Sequence, residues 1–314
     1  MSPAGVCACP PTPPARDPVA SGPAGPGDPS NAGHGSTAAP MRGRAWGPLR
    51  REWTKLLFSR RTYVIWAGLL AIPFITALAL ELASTPPGPG EGPEFLSRVV
   101  ENGMYTPLAA LAALLPFLLP LTAITVASYM LAGEAELGTL RMILLRPVDR
   151  GALLLAKWVT AVAYLFVGLL IVVAGGFVFG GLFFGLQPLV TLSGTTVSIT
   201  HGTGLILLTA LFALTAMACM VSLAMLFSAV TDSSLTALIA TTVVYIVVQV
   251  LVSFSYFDWL APYVFPTYFN DYINLFRDPI AWRPVGKAVL VFGLWSAGLT
   301  TAAWLLFRRR DVLS

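Results

Sequence analysis

ALLLAKWVTAVAYLFVGLLIVVAGGFVFGGL, residues 152–182, decides the fold class. It holds one charged side chain, Lys157, and no proline. A helix needs about 20 apolar residues to cross a hydrocarbon core, so this run overreaches one and must tilt or continue past the bilayer. Further apolar spans lie near 62–83, 105–131, 204–230, 235–257 and 286–307. Pro73, Pro116 and Pro120 fall inside spans one and two. They predict kinks, which lipid tolerates when neighbouring helices or hydroxyls satisfy the freed carbonyls. Only Thr231, Asp232, Ser233 and Ser234 separate spans four and five, which predicts a tight helical hairpin.

Composition agrees. Of 314 residues, 56% are hydrophobic and 11% are charged, against about 25% charged in a typical soluble domain. That excludes an ordinary soluble globule, and also a disordered scaffold, which needs low hydrophobicity and high charge. The expected fold class is all-α: an integral membrane protein with six transmembrane helices.

Residues 1–45 differ from the rest. Ten prolines and seven glycines fall there, with almost no large apolar side chain. Such a stretch cannot offset its ordering entropy, and is expected to be a disordered cytoplasmic tail without a secretory signal. Cys7 and Cys9 in it allow a metal or lipid attachment, or are stray cysteines; Met41 offers an alternative start. The membrane domain is expected over 46–314. Three cysteines make no disulfide framework, and His34 and His201 no local metal motif.

Lys and Arg set the expected orientation. Arg42, Arg44, Arg50, Arg51, Lys55, Arg60 and Arg61 precede span one. Arg141, Arg146, Arg150 and Lys157 follow span two, and Arg308, Arg309 and Arg310 follow span six. That gives fourteen on one side against four on the other, Arg98, Arg277, Arg283 and Lys287. The positive-inside rule places both termini in the cytoplasm. The net charge of +4 follows from that bias and needs no nucleic-acid partner.

Two cytoplasmic segments carry helical patterns. Leu49, Trp53, Leu56 and Leu57 share one face of a basic amphipathic helix, suited to lying in the membrane interface or simply flanking span one. After span two, Leu137, Leu140, Ile143 and Leu144 mark a second stripe. Glu134 and Glu136 stand at its start, where the helix dipole favours anions, and Pro147 ends it. Its apolar face needs a protein partner or folds back on the bundle; periodicity leaves both open.

The loop reads Gly-Glu-x-Glu-x-Gly-Thr-Leu-Arg-x-x-Leu-x-Arg-Pro-Val-x-Arg-Gly from Gly133 to Gly151. With the basic amphipathic start and the closing Phe307-Arg308-Arg309-Arg310-Asp311, it resembles the permease subunits of ABC-2 type ABC transporters over about 47–314. The resemblance implies that Leu49, Trp53, Leu56 and Leu57 belong to an elbow helix. It implies that Glu134, Glu136, Gly138, Thr139, Leu140, Arg141 and Pro147 form a coupling helix between spans two and three, docking on a cytoplasmic ATPase subunit. It further implies a second permease subunit, identical or related, export as the direction of transport, and short re-entrant helices near 258–285, where Asp258, Asp271 and Asp278 lie.

The chain has no Gly-x-x-x-x-Gly-Lys-Ser/Thr loop, so ATP and Mg are expected in the partner subunit and no cofactor or metal in this chain. It has no His-Glu-x-x-His and no Gly-x-Ser-x-Gly, and it is not expected to be an enzyme. Charged residues within the spans are few. Glu81 lies near an outer end, and Lys157 is expected to snorkel at an inner one. This weakens the alternative of an ion-coupled secondary transporter; a membrane anchor or sensor is the other alternative. Thr241, Thr242, Tyr245 and Gln249 line span five at helical spacing, facing a substrate pathway, a dimer seam or neighbouring helices. Gly176, Gly180, Gly181 and Gly185 predict close helix packing near the outer end of span three.

Overall fold

Long apolar runs leave the backbone no partner but itself, and they fold as helices. The structure is a computed structural model that describes residues 59–82, 102–136, 150–231 and 233–309. In chain order the helices are α1 (Arg60–Leu82), α2 (Thr106–Leu114), α3 (Leu118–Glu136), α4 (Arg150–Phe184), α5 (Ile199–Val230), α6 (Ser234–Val252) and α7 (Trp282–Arg309). A small antiparallel hairpin, β1 (Leu189–Val190) and β2 (Thr196–Val197), sits between α4 and α5 and pairs Leu189 with Val197. α1, α4, α5, α6 and α7 are each long and apolar enough to cross a membrane. α2 and α3 meet the same test only as a pair, bent by 60° at their break, which gives up to six candidate spans. The molecule is an all-α integral membrane protein.

Span two is broken, where the sequence predicts a kink. Pro116 has no N–H to reach the carbonyl of Ala112, and Pro120 has none to reach the carbonyl of Pro116. The last bond before the gap is Leu115 N–H to the Leu111 carbonyl, 2.9 Å; the first after it is Leu121 N–H to the Phe117 carbonyl, 3.0 Å. Two prolines four residues apart remove successive rungs, and the helix parts between them.

α5 is the central post: 61% of its most apolar stretch is buried, against 17% for α6 and for α7. It packs against α3, α4, α6 and α7. Its small side chains, among them Ala213, Ala216 and Ala224, are fully buried and let these neighbours approach. α4 holds α1 and α2. Trp66 stacks on Tyr164 with ring centroids 5.4 Å apart. Gly176 lies so close to α2 that a Cβ there would stand 2.5 Å from the Pro107 Cα, and one on Gly180 would meet the Gly103 carbonyl. Gly185, at φ +72°, turns the chain just after α4.

Between α5 and α6 the turn is short. Thr231 N–H closes α5 on the Phe227 carbonyl at 3.1 Å. The Ser233 hydroxyl accepts from the Thr236 N–H at 3.5 Å at the start of α6. Span five is expected to reach residue 257, yet α6 stops at Val252. The Ser253 hydroxyl donates to the Gln249 carbonyl at 2.9 Å, supplying a partner to one of the acceptors a helix end exposes. The chain then forms short turns and a 3-10 run, Phe265–Phe276, whose Phe265, Phe269, Tyr272 and Phe276 are buried against the bundle.

Candidate functional site

Span five carries the polar residues singled out from sequence, and α6 presents them unevenly. Thr241 is fully buried and spends its hydroxyl on the Ala237 carbonyl, 2.7 Å away on its own helix. One turn on, Tyr245 is buried and donates to the Pro116 carbonyl at 2.5 Å. This is the acceptor freed by Pro120, so α6 supplies the bond that α3 cannot. The Tyr245 ring also stacks on Phe269, centroids 6.4 Å apart, tying the break to the 3-10 run. Thr242 buries its hydroxyl without a hydrogen-bond partner. Gln249 is half-buried, and its side chain makes no hydrogen bond among the described residues. The fold thus brings Tyr245 to the broken span, spends Thr241 on its own helix, and leaves Thr242 and Gln249 unspent.

Lys157 does not snorkel. It is fully buried, and its Nζ donates to the Met130 carbonyl at 2.6 Å. Snorkelling is open to a side chain on the lipid face, whereas Lys157 faces α3, which carries Met130.

The sequence reading missed a second polar group. Trp158 Nε1 on α4 donates to Ser222 Oγ on α5 at 2.9 Å. On α7, Thr300 Oγ1 donates to the same oxygen at 3.0 Å, and Ser296 Oγ lies 2.8 Å from it. Ser222 also reaches the Ala218 carbonyl at 2.9 Å. Hydroxyls are common in apolar spans, and these lie at least 64 positions from Ser222 or on its own helix; nothing in the sequence pairs them. Ser296 and Thr300 open onto a groove of about 410 Å³ between α4, α5 and α7.

At the opposite end of α4, one side chain organises the loops. Asn102 Nδ2 donates to the carbonyls of Gln187 and Pro188, each at 3.0 Å. Its Oδ1 accepts from the N–H groups of Met104, 2.9 Å, and Gln187, 3.2 Å. All four of its hydrogen-bonding positions are used. Tyr105 exchanges two bonds with Val190 of β1, accepting its N–H and donating to its carbonyl. In the 258–285 segment, Asp271 lies in the 3-10 run; burial pushes its carboxyl up, and the Lys287 ammonium opposes that. The Tyr272 phenol is pushed up to about 12 by burial.

Glu134 and Glu136 belong to the last turn of α3. Gly138, Thr139, Leu140, Arg141 and Pro147, the elbow residues Leu49, Trp53, Leu56 and Leu57, and the 1–45 tail lie outside the described residues.

No curated protein matches this sequence. The family model described as "ABC-2 family transporter protein" matches residues 48–312, which takes in every helix described above. The chain belongs to the ABC-2 family of transporter proteins.

Proposed function

We propose that this chain is the permease subunit of an ATP-driven exporter. It pairs with a second permease chain and with two cytoplasmic ATPase subunits that hold ATP and Mg. One observation carries the reading: an ABC-2 family match covers the whole membrane domain, in a chain whose sequence has no phosphate-binding loop. On this reading, energy from ATP enters from another subunit. The basic clusters before span one, after span two and after span six support a coupling loop and both termini on the ATPase side.

In this mechanism the permease does no covalent chemistry. Closure of the ATPase pair pulls on the coupling helix formed by Glu134, Glu136, Gly138, Thr139, Leu140, Arg141 and Pro147. The elbow residues Leu49, Trp53, Leu56 and Leu57 steady span one in the interface. The load passes directly into α3, which ends at Glu136, and so to the break at Pro116. Thr241 and Tyr245 are buried on the helix that braces this break, which leaves Thr242 and Gln249 of that helix for the pathway or the seam with the second permease. The two transmembrane halves then rock between inward- and outward-open states.

Leu140→Asp tests the coupling assignment. An unpaired carboxylate in a docking contact commonly costs a few kcal/mol, roughly 2 or more. Co-purification of the ATPase, normalised to inserted permease, should fall together with transport while expression is kept. Undiminished co-purification and transport would sink the assignment. Falling expression with unchanged stoichiometry would mean that the loop packs on its own bundle.

A further inference from the structure

Lysine is a costly residue inside a span. Lys157 is fully buried, and it is the one charged side chain between residues 152 and 182. Burying a polar head loses free energy unless a partner takes its protons. An apolar side chain of similar length would fill the same space without that loss. The bond from Lys157 Nζ to the Met130 carbonyl, 2.6 Å long, therefore adds something that packing does not. Apolar surfaces tolerate small slips and rotations, whereas a hydrogen bond weakens steeply away from one geometry. It fixes the height of α4 against α3.

That height is matched on the two helices. Met130 lies six residues before the end of α3 at Glu136, and Lys157 seven residues after the start of α4 at Arg150. At 1.5 Å per residue the bond crosses about 10 Å from both ends. Those ends are the roots of the segment 137–149. α3 packs more extensively against α5 and α6 than against α4, so no broad contact of their own holds the two roots together.

The next side chain of α4 ties it to other helices. Trp158 donates to Ser222 of α5, and Ser222 also accepts from Thr300 of α7. Two consecutive residues thus join α4 to α3, and to α5 and α7. A push on the roots is shared by four helices rather than lost in the splaying of two.

We propose, on the permease reading given above, that Lys157 is a positioning residue for coupling. It holds the roots of the coupling loop at one separation and angle. The ATPase then meets a preset loop, and movement of that loop carries α3 and α4 as one body.

Pulsed electron paramagnetic resonance on the full chain in lipid nanodiscs, joined to co-purification of the ATPase, tests this. Spin labels go on Gly133→Cys and Ala152→Cys. A Cβ at Gly133 meets nothing closer than 3.8 Å, and Ala152 is exposed. Cys7→Ser and Cys9→Ser clear the background, since Cys219 is buried. Lys157→Met removes the donor and enters a span more readily than lysine does. It should broaden the 133–152 distances toward longer values and lower ATPase co-purification at least about fivefold, the low end of ordinary coupling between sites. Lys157→Arg keeps a donor and should recover both. A control pair on α5 and α7, Leu211→Cys with Leu305→Cys, both exposed, should keep its distances in every variant. Unchanged 133–152 distances or undiminished co-purification in Lys157→Met would overturn the proposal, as would failure of Lys157→Arg to recover either. Equal broadening of the control pair would assign Lys157 to general bundle stability and overturn it too. The permease reading fails by a different outcome: a wild-type chain that retains no ATPase would remove that reading, and this proposal with it, before any variant is made.

Discussion

α5 and the α2–α3 pair both cross beside α4, and they meet the demands of the bilayer differently. α5 runs unbroken for 32 residues and keeps its backbone bonds within itself; its Thr209 hydroxyl bonds the Leu205 carbonyl at 2.9 Å, while Ser222 meets Trp158 of α4 and Thr300 of α7. It needs its neighbours for packing. The α2–α3 pair gives up backbone bonds at Pro116 and Pro120, and needs a side chain from α6 to make one good. A continuous helix is sensitive to volume. A broken one is sensitive to the loss of a single donor elsewhere in the chain. The two spans should therefore fail under different substitutions.

The largest effect is expected in α5. Ala216 is fully buried, and Ala216→Leu adds bulk where the neighbouring helices approach closely. Overpacking of this kind costs about 1–3 kcal/mol or more. Thermal unfolding in detergent micelles should show a clear drop in Tm. An unchanged Tm would mean that α5 is not the close-packed post of the bundle.

Tyr245→Phe comes next. It keeps the ring on Phe269 and removes the donor to Pro116, leaving a carbonyl unpaired in the bilayer. The expected cost is about 1–2 kcal/mol. Pro120→Ala sharpens the test, because alanine restores an N–H that can reach the same carbonyl. In that background Tyr245→Phe should cost measurably less, and a double-mutant cycle reads the difference. Equal costs in both backgrounds would separate Tyr245 from the break.

The smallest effect belongs to Thr242, whose hydroxyl is buried and unpartnered. Thr242→Val should change stability by less than about 0.5 kcal/mol. Transport measured on the same variant divides the remaining roles. Reduced transport at unchanged stability and unchanged dimer content places the hydroxyl in the pathway; reduced dimer content places it at a seam.

The helices were legible because bilayer thickness imposes length and polarity on a span, and both can be counted along a sequence. The break in span two was half legible: Pro116 and Pro120 were visible as kinks, but their spacing of four, which removes successive rungs, turns a kink into a gap. The partner of the freed carbonyl, 129 positions away, was not. Lys157 was misjudged because snorkelling depends on which face of the helix meets lipid, and an almost uniformly apolar span gives no sign of that face. The Trp158–Ser222–Ser296–Thr300 group is hidden for the same reason: an indole on α4 and hydroxyls on α5 and α7 become a group only once those helices pack. The Gly176 and Gly180 pattern was readable because lack of a side chain is itself a packing signal, and α2 occupies that space.

The turn between α5 and α6 has a mechanical consequence. Three residues separate Val230 from Ser234, and an extended chain gains at most about 3.5 Å per residue. The two helices are therefore fastened at that end like the arms of a clasp. Sliding of α6 along α5 is blocked, and what remains is a swing whose arc grows with distance from the turn. Tyr245 sits more than halfway along that arm, and Val252 at its tip. A small rotation at Ser234 thus becomes a larger sweep at the break in span two, so the clasp converts a change of angle at one membrane surface into displacement deep within the bilayer.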